Sequence, residues 1–176
     1  MKTKHGRTIT SRAAGLAMAG VLALPATAAA AIVPGHGVAG VKLGDSATRV
    51  TAVLGKPASV QKYKGGQSWF WGKGPVSWVT MRVRGGSTTV RGIETWDSKQ
   101  RTSGGIGVGS SMTALRKAYP RLACKNGWLG HPYSSCWILT SVAGKKIPTN
   151  FVLMRGKLVS TVDIGEIGER NLASQP

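Results

Sequence analysis

The chain has 176 residues, of which 24 are Lys or Arg and only 6 are Asp or Glu, so its formal net charge is +18. A chain of this length forms one domain or two very small ones, and six acids leave little room for a metal site built from several carboxylates. The hydrophobic content of 41% excludes a disordered chain. Together with 25 Gly, the composition predicts a basic globular protein with many turns.

The first element along the chain is a predicted secretory signal peptide over residues 1–30. Its cations are followed by an apolar, Ala-rich run and then by small residues that form an A-x-A cleavage site. A membrane anchor is the weaker interpretation, because the apolar run is shorter than the roughly 20 residues that a spanning helix needs. We find no later segment that could span a bilayer, and we expect a secreted protein, extracellular or associated with the cell wall. The four cations are Lys2, Lys4, Arg7 and Arg12.

The positive charge belongs mostly to the part of the chain after the signal peptide. Removing the four cations of the signal peptide leaves 20 Lys and Arg against 6 Asp and Glu, a net charge of +14. These cations are scattered, so the sequence predicts no disordered basic tail. It predicts affinity for anionic polymers of the cell envelope, and export argues against nucleic acid as the partner in the cell.

After a short N-terminal segment, 31–37, which we expect to be flexible, two segments share one pattern. Residues 40–50 and 105–115 have identical Gly, Gly, Ser and Thr at four aligned positions and similar apolar residues between them. This similarity predicts an internal repeat, with a first copy over 38–102 and a second over 103–169. We expect the tail, 170–176, to be disordered.

Each copy begins with a short motif that predicts the start of a helix. Polar residues follow a Gly and precede apolar residues spaced three and four apart, which is typical of an N-cap and one buried helix face. The Gly-rich stretch at 105–110 lacks the Lys-Ser/Thr ending of a phosphate-binding loop, so we interpret it as a tight turn. The two motifs are Gly44-Asp45-Ser46 and Gly109-Ser110-Ser111.

Strand-like runs follow each predicted helix. They are rich in β-branched and aromatic residues and are bounded by Gly-rich turns. The pattern predicts an α+β fold of two tandem repeats, each a short helical element followed by an antiparallel β-meander, with the helices packed on one sheet face. The predicted strands are 68–71, 76–83, 88–96, 136–141, 150–154 and 157–164.

The two cysteines, Cys124 and Cys136, favour a disulfide, because an even pair in an exported chain is usually oxidised. The alternative is a metal site that includes His131, which lies between them. Two thiols and one imidazole are one ligand short of a closed zinc site, and their spacing fits no common zinc pattern. We predict a structural disulfide and no metal or cofactor.

The first motif and the residues after it resemble a known superfamily. Residues 41–50, ending at Leu54-Gly55-Lys56-Pro57, are similar to the G-M-T-x-x-x-V-x-x-x-L-G-x-P opening of BamE-like and β-lactamase-inhibitory-protein-like domains. The resemblance extends from about residue 38 to 164. It implies a small helical element on an antiparallel sheet, made twice, and a protein that binds a partner protein through its sheet. A disulfide at the position of Cys124 and Cys136 is also typical of the inhibitory protein.

Aromatic and basic residues in the predicted strands are the candidate binding residues. Large aromatic residues in a small domain usually form the core, but rings on a sheet face without helices mark a binding surface. For the two arginines, the alternatives are a solvated sheet face, a polyanion-binding face and a protein contact. The candidates are Trp69, Trp71, Trp78, Arg82, Arg84, Trp96 and Trp137.

The sequence offers little support for catalysis. After the signal peptide the histidines are His36 and His131, and neither has a motif that pairs it with Ser or Asp. We therefore predict a non-enzymatic protein that binds another macromolecule, most simply an extracellular protein, through an aromatic sheet face. A cationic wall-associated or polyanion-associated protein without a protein target is the main alternative, and a secreted hydrolase is the other.

Overall fold

A computed structural model of the chain describes residues 31–126 and 133–166. The predicted signal peptide, His131 and the predicted tail at 170–176 lie outside the described residues. About half of the described residues are in strands, and two helices of 8 and 7 residues are present among them. The elements are β1 (Ile32–Val33), β2 (Gly37–Val38), β3 (Val41–Lys42), α1 (Ala47–Leu54), β4 (Ser59–Tyr63), β5 (Gly66–Phe70), β6 (Trp78–Arg84), β7 (Ser87–Thr95), α2 (Met112–Ala118), β8 (Ala123–Asn126), β9 (Tyr133–Val142), β10 (Lys145–Met154) and β11 (Leu158–Gly165).

Eight of the strands form one antiparallel sheet in the order β4-β5-β6-β7-β11-β10-β9-β8. Turns of two or three residues that contain Gly form the hairpins β4–β5, β6–β7, β9–β10 and β10–β11. The central pair, β7 and β11, joins residues that are far apart in sequence, with Val162 opposite Thr95 and Gly165 opposite Gly92. The strands after both helices therefore share one continuous sheet.

The predicted fold class is wrong. We expected an α+β fold of two tandem repeats, each a short helical element followed by its own antiparallel β-meander, with the helices packed on one sheet face. Instead the protein is mostly β, with one eight-stranded sheet and a separate three-stranded sheet, β1-β2-β3. The local patterns located both helices and six of the eight strands of the large sheet, but they contain no signal for the β7–β11 pairing that merges the strands into a single sheet.

The N-terminal segment 31–37, expected to be flexible, contributes β1 and the start of β2. Ile32 is completely buried, and its amide donates to the carbonyl of Arg101 at 3.0 Å. The amide of Gly35 donates to Oγ1 of Thr149 on β10 at 2.8 Å. Burial of Ile32 and these long-range hydrogen bonds hold the segment in place.

The core lies on the side of the large sheet that carries both helices, which we call the helix face. Val50 of α1 and Leu115 of α2 are completely buried there. Tyr119, at the end of α2, stacks on Phe151 of β10 with ring centroids 5.5 Å apart. We call the opposite side the helix-free face. Neither helix in the described part of the chain has the length and hydropathy needed to cross a lipid bilayer.

The predicted helix-entry motifs have a structural role. Gly44 and Gly109 have φ of 87° and 89°, which Gly adopts without strain. Their amides donate to the carbonyls of Val90 and Val159, at 2.8 and 2.7 Å, and so fix each helix entry on a strand. Ser46 and Ser111 are the N-caps of α1 and α2. The side chains of Asp45 and Ser110 accept from the amides of Lys42 and Gly107 within the same turns.

The predicted disulfide is confirmed. Cys124 on β8 lies directly opposite Cys136 on β9, and the two sulfur atoms are bonded. Cys136 is completely buried in the core. The bridge therefore fastens the short edge strand β8 to the rest of the sheet.

Candidate functional site: the helix-free face

One row of cross-strand partners runs the whole width of the helix-free face. Residues directly opposite each other on neighbouring strands have their side chains on the same face. Aromatic rings occupy one part of the row, and two carboxylates and an amide occupy its centre. In sheet order the row is Ser59, Phe70, Trp78, Glu94, Asp163, Asn150, Trp137 and Ala123.

Three rings form a cluster on β5, β6 and the residue after β7. The ring of Phe70 lies 5.5 Å from that of Trp78 and 5.8 Å from that of Trp96, both tilted. These are favourable aromatic geometries. The cluster stays accessible, since 44% of the Trp96 surface is exposed. We call Phe70, Trp78 and Trp96 the aromatic cluster.

A polar group continues the row beside the aromatic cluster. Nε1 of Trp96 donates to Oε1 of Glu94, and Glu94 lies opposite Asp163. Nδ2 of Asn150 donates to Oδ2 of Asp163 at 3.2 Å, while Oδ1 of Asn150 accepts from Ser135. Glu94, Asn150 and Ser135 are all buried. The hydrogen bonds hold two carboxylates in fixed positions next to large rings.

A basic cavity of about 480 Å³ lies further along the same face, towards the β4–β5 and β6–β7 turns. The cavity lies beside a β-bulge in β7. Thr80 of β6 lies opposite Gly92, and the next residue, Met81, lies opposite Val90, so that Arg91 has no partner on β6. A bulge redirects a side chain, and Arg91 lines the cavity. The lining residues are Gln61, Tyr63, Lys64, Gly65, Thr80, Met81, Arg82, Arg91 and Glu166.

The charges in this cavity are only partly compensated. Arg91 forms an ion pair with Glu166. Partial burial is the main reason that the pKa of the Arg91 guanidinium lies below its ordinary value, and the positive charge of Arg82 lowers that pKa further. Tyr63 acts in the opposite direction. The positive charges of Arg82 and Arg91 therefore repel each other across the cavity.

The structure separates the predicted binding residues into two groups. Trp69 and Trp71 pack against the core on the helix face, with ring centroids 6.1 Å apart, and Nε1 of Trp71 points to the carbonyl of Gly55 at 3.4 Å. The structure therefore does not bring these two together with the other predicted binding residues, and their part in binding stays a prediction. On the helix-free face lie Trp78, Trp96, Trp137, Arg82 and Arg84.

Residues that sequence reasoning missed complete this face. Phe70 lies between Trp69 and Trp71, so strand alternation alone puts it on the opposite side. Asn150 is part of a predicted strand, but nothing in the pattern marks its contact with Asp163. Arg91 enters the cavity through a bulge, which leaves no signal in the sequence.

The described residues contain no group of three or more His, Cys, Asp or Glu side chains able to hold a metal ion. His36 is exposed, with Nδ1 3.0 Å from the carbonyl of Pro34. His131 lies outside the described residues.

Comparisons with known proteins found no matching family model and no matching curated protein. Three solved structures match part of this chain at 12–14% sequence identity. An extracellular protein with an SCP domain from Bacillus anthracis has a TM-score of 0.45 over 70% of this chain, which spans 44% of that protein's length. YjgB, a DUF4309 family protein from Bacillus subtilis, has 0.49 over 76% of this chain and 88% of its own. The uncharacterized protein YfeY from Escherichia coli has 0.48 over 76% and 99%.

Proposed function

We propose that this chain is an exported, non-enzymatic binding protein that contacts another protein through the helix-free face. The observation that carries the proposal is the aromatic cluster, in which Trp96 is 44% exposed although it contacts Phe70 and hydrogen-bonds Glu94. Rigid rings beside oriented polar groups are typical of protein-binding hot spots. Such rings lose little conformational entropy on binding, because neighbours already hold them.

Export is supported by two independent features. Residues 1–30 have the charged, apolar and small-residue regions of a signal peptide. The Cys124–Cys136 disulfide fits an oxidising compartment. The resemblance to BamE-like and inhibitory-protein-like domains stays a prediction, and the sheet-mediated binding that it implies is the mode proposed here.

The alternative is general adhesion to anionic envelope polymers without a protein target. It is supported by the net charge of +14 after the signal peptide. The two functions differ in their response to salt, because screening shortens the reach of exposed charges to a few ångströms near 1 M salt. Contacts made by buried aromatic rings depend far less on salt.

The test is retention of envelope proteins on immobilised chain 31–176 at low and at high salt, with purified wall polymer as a second ligand. We expect one envelope protein to stay bound to the wild-type chain at high salt and not to bind the Trp96→Ala and Trp78→Ala variants. Val60→Ala is the matched control, since Val60 is 45% exposed but lies in register with Trp69, away from the cluster. Circular dichroism and the unfolding midpoint check that each variant is folded.

Retention that disappears with salt and is the same for Trp96→Ala and Val60→Ala contradicts the proposal and supports the polyanion alternative.

A further inference from the structure

We propose that the basic cavity beside the β-bulge at Arg91 is a binding site for a dianionic phosphate group, of the kind carried by a phosphomonoester. This inference goes beyond the proposed function, because no residue of the aromatic cluster lines the cavity and the site takes a different ligand. The cavity, the bulge and the ion pair of Arg91 with Glu166 each point to it.

The charge of the cavity matches a dianion. Its lining contains three cations and one carboxylate, which leaves a net charge of +2. A phosphomonoester carries about −1.5 to −2 at pH 7, whereas a carboxylate or a phosphodiester leaves about one positive charge uncompensated. Guanidinium groups suit this ligand, since each donates two parallel hydrogen bonds to phosphate oxygens. The three cations are Lys64, Arg82 and Arg91.

The shape of the cavity is set by backbone features and not by flexible side chains alone. The bulge leaves Arg91 without a partner on β6, and its side chain stays only 28% exposed. Arg82 lies opposite Gly66, and the ring of Tyr63 lies so close over Gly66 that a Cβ there would be 2.6 Å from Cε2 of that ring. Tyr63, which is 47% exposed, thus lies at the cavity rim and forms one of its walls.

Glu166 acts as an internal anion in the unliganded cavity. Its amide donates to the carbonyl of Arg91 at 2.9 Å, which anchors it beside the guanidinium that it pairs with. A phosphate group entering the cavity competes with this carboxylate for Arg91. Removing the charge of Glu166 therefore strengthens phosphate binding, whereas a merely structural ion pair predicts no such gain.

The other bulge of the large sheet provides an internal contrast. It lies on β11, where Val152 is opposite Thr161 and Leu153 is opposite Val159, so that Ser160 is the extra residue. The hydroxyl of Ser160 donates to the carbonyl of Val152 at 3.1 Å. A bulge of this kind therefore does not by itself create a basic cavity; the sequence at Arg91 and Arg82 does.

The experiment is titration of chain 31–176 with inorganic phosphate at pH 7.5 and constant ionic strength, followed by calorimetry and by amide shifts in NMR spectra. We expect Arg82→Gln and Arg91→Gln each to weaken binding about tenfold or more and Glu166→Gln to strengthen it several-fold. Arg84→Gln is the matched control, because Arg84 lies two residues further along β6, on the same face, and does not line the cavity; it changes affinity less than about twofold. Arg82 is exposed, so Arg82→Gln is expected to fold normally even if Arg91→Gln does not.

A pH arm tests the charge of the ligand. The second pKa of a phosphomonoester is about 6, so the affinity for glycerol 3-phosphate falls when the pH is lowered from 7.5 to 5.5, while the affinity for sulfate, which keeps its charge, changes little. Glycerol 3-phosphate and phosphatidylcholine vesicles with and without phosphatidic acid distinguish a soluble phosphomonoester from a lipid headgroup. The proposal is supported if the wild type binds either probe and Arg82→Gln abolishes that binding.

Two outcomes overturn the inference. The first is equal loss with Arg82→Gln and Arg84→Gln, which indicates general attraction of anions by a basic surface. The second is the absence of phosphate-dependent shifts at the cavity residues. The aromatic cluster does not take part in phosphate binding. A failure to bind phosphate therefore leaves the retention test with Trp96→Ala unaffected, and a failure of the retention test leaves the phosphate titration unaffected.

Discussion

Glu94 on β7 and Asp163 on β11 lie directly opposite each other on the helix-free face, at the pairing that joins the two parts of the large sheet. Like charges at opposite positions of a sheet are destabilising. Here Trp96 donates to Glu94 and Asn150 donates to Asp163. These hydrogen bonds offset the repulsion and tie the central pairing to the aromatic cluster.

The first prediction concerns Asn150, which is buried between Ser135 and Asp163. Asn150→Ala removes a donor to the carboxylate and an acceptor for the serine hydroxyl, so we expect the free energy of unfolding to fall by about 1–3 kcal/mol. Urea unfolding followed by Trp fluorescence measures it. Ser59→Ala, at the exposed end of the same row, serves as the control and changes stability by less than about 0.5 kcal/mol. Equal midpoints for the two variants contradict the prediction.

The helix N-caps provide a second prediction. The hydroxyl oxygens of Ser46 and Ser111 accept from the amides of Arg49 and Ala114, both at 3.2 Å. Ser46→Ala and Ser111→Ala are each expected to lower the free energy of unfolding by about 1 kcal/mol, because an amide at each helix start loses its acceptor. Ser46→Asp keeps an acceptor and retains most of that stability. If Ser46→Ala and Ser46→Asp unfold at the same urea concentration, the caps contribute nothing.

The third prediction concerns Asp97, just after β7. Its carboxylate accepts from Nε2 of Gln100 at 2.7 Å and from the amide of Lys99 at 2.9 Å, and the Gln100 bond is the main reason that the pKa of Asp97 lies below its ordinary value. A lowered carboxyl pKa in the folded state stabilises the fold fully at a pH above the ordinary pKa of Asp. That stabilisation is lost as the pH falls from the ordinary pKa to below the lowered pKa. Gln100→Ala is expected to raise the Asp97 pKa in an NMR titration, while Gln67→Ala leaves it unchanged. An Asp97 pKa that Gln100→Ala does not move contradicts this origin.

Local sequence patterns predicted the elements better than their arrangement. Gly44 and Gly109 marked the helix entries, because a positive φ and a following Ser are local requirements. β4 was missed, since its five residues are all exposed and show no apolar alternation. The pairing of Thr95 with Val162 connects strands through contacts made only in the folded chain, so no local pattern specifies it.

The candidate site was predicted in part for a related reason. Alternation along β5 assigns Trp69 to one face and Phe70 to the other, but it does not tell which face the helices cover. That depends on where α1 packs, as the contact of Trp71 with Gly55 illustrates. Arg91 was missed because a one-residue bulge changes the direction of a side chain without changing the composition of the strand.

The fourth prediction concerns the disulfide. Cys124 and Cys136 are 12 residues apart in sequence, and closing a loop of that size stabilises a fold by about 3 kcal/mol in chain-entropy estimates. The double variant Cys124→Ala/Cys136→Ala is expected to lose stability on this scale. A reductant should lower the midpoint of the wild type towards that of the double variant and leave the double variant unchanged. A wild type that is indifferent to reductant contradicts the prediction.

The last prediction tests how tightly Tyr63 is packed at the cavity rim. A Cβ at Gly66 would lie 2.6 Å from the carbonyl oxygen of Met81 and 2.6 Å from Cε2 of Tyr63, so Gly66→Ala forces backbone and ring apart. We expect a loss of about 1–3 kcal/mol in the free energy of unfolding. Gly104→Ala is the matched control, because its Cβ meets nothing closer than 3.7 Å and the restricted unfolded chain favours the Ala variant slightly. If both variants unfold at the same urea concentration, the close approach of Tyr63 to Gly66 contributes no stability. If only Gly66→Ala is destabilised and it also weakens phosphate binding, then the same contact that packs the ring also shapes the cavity.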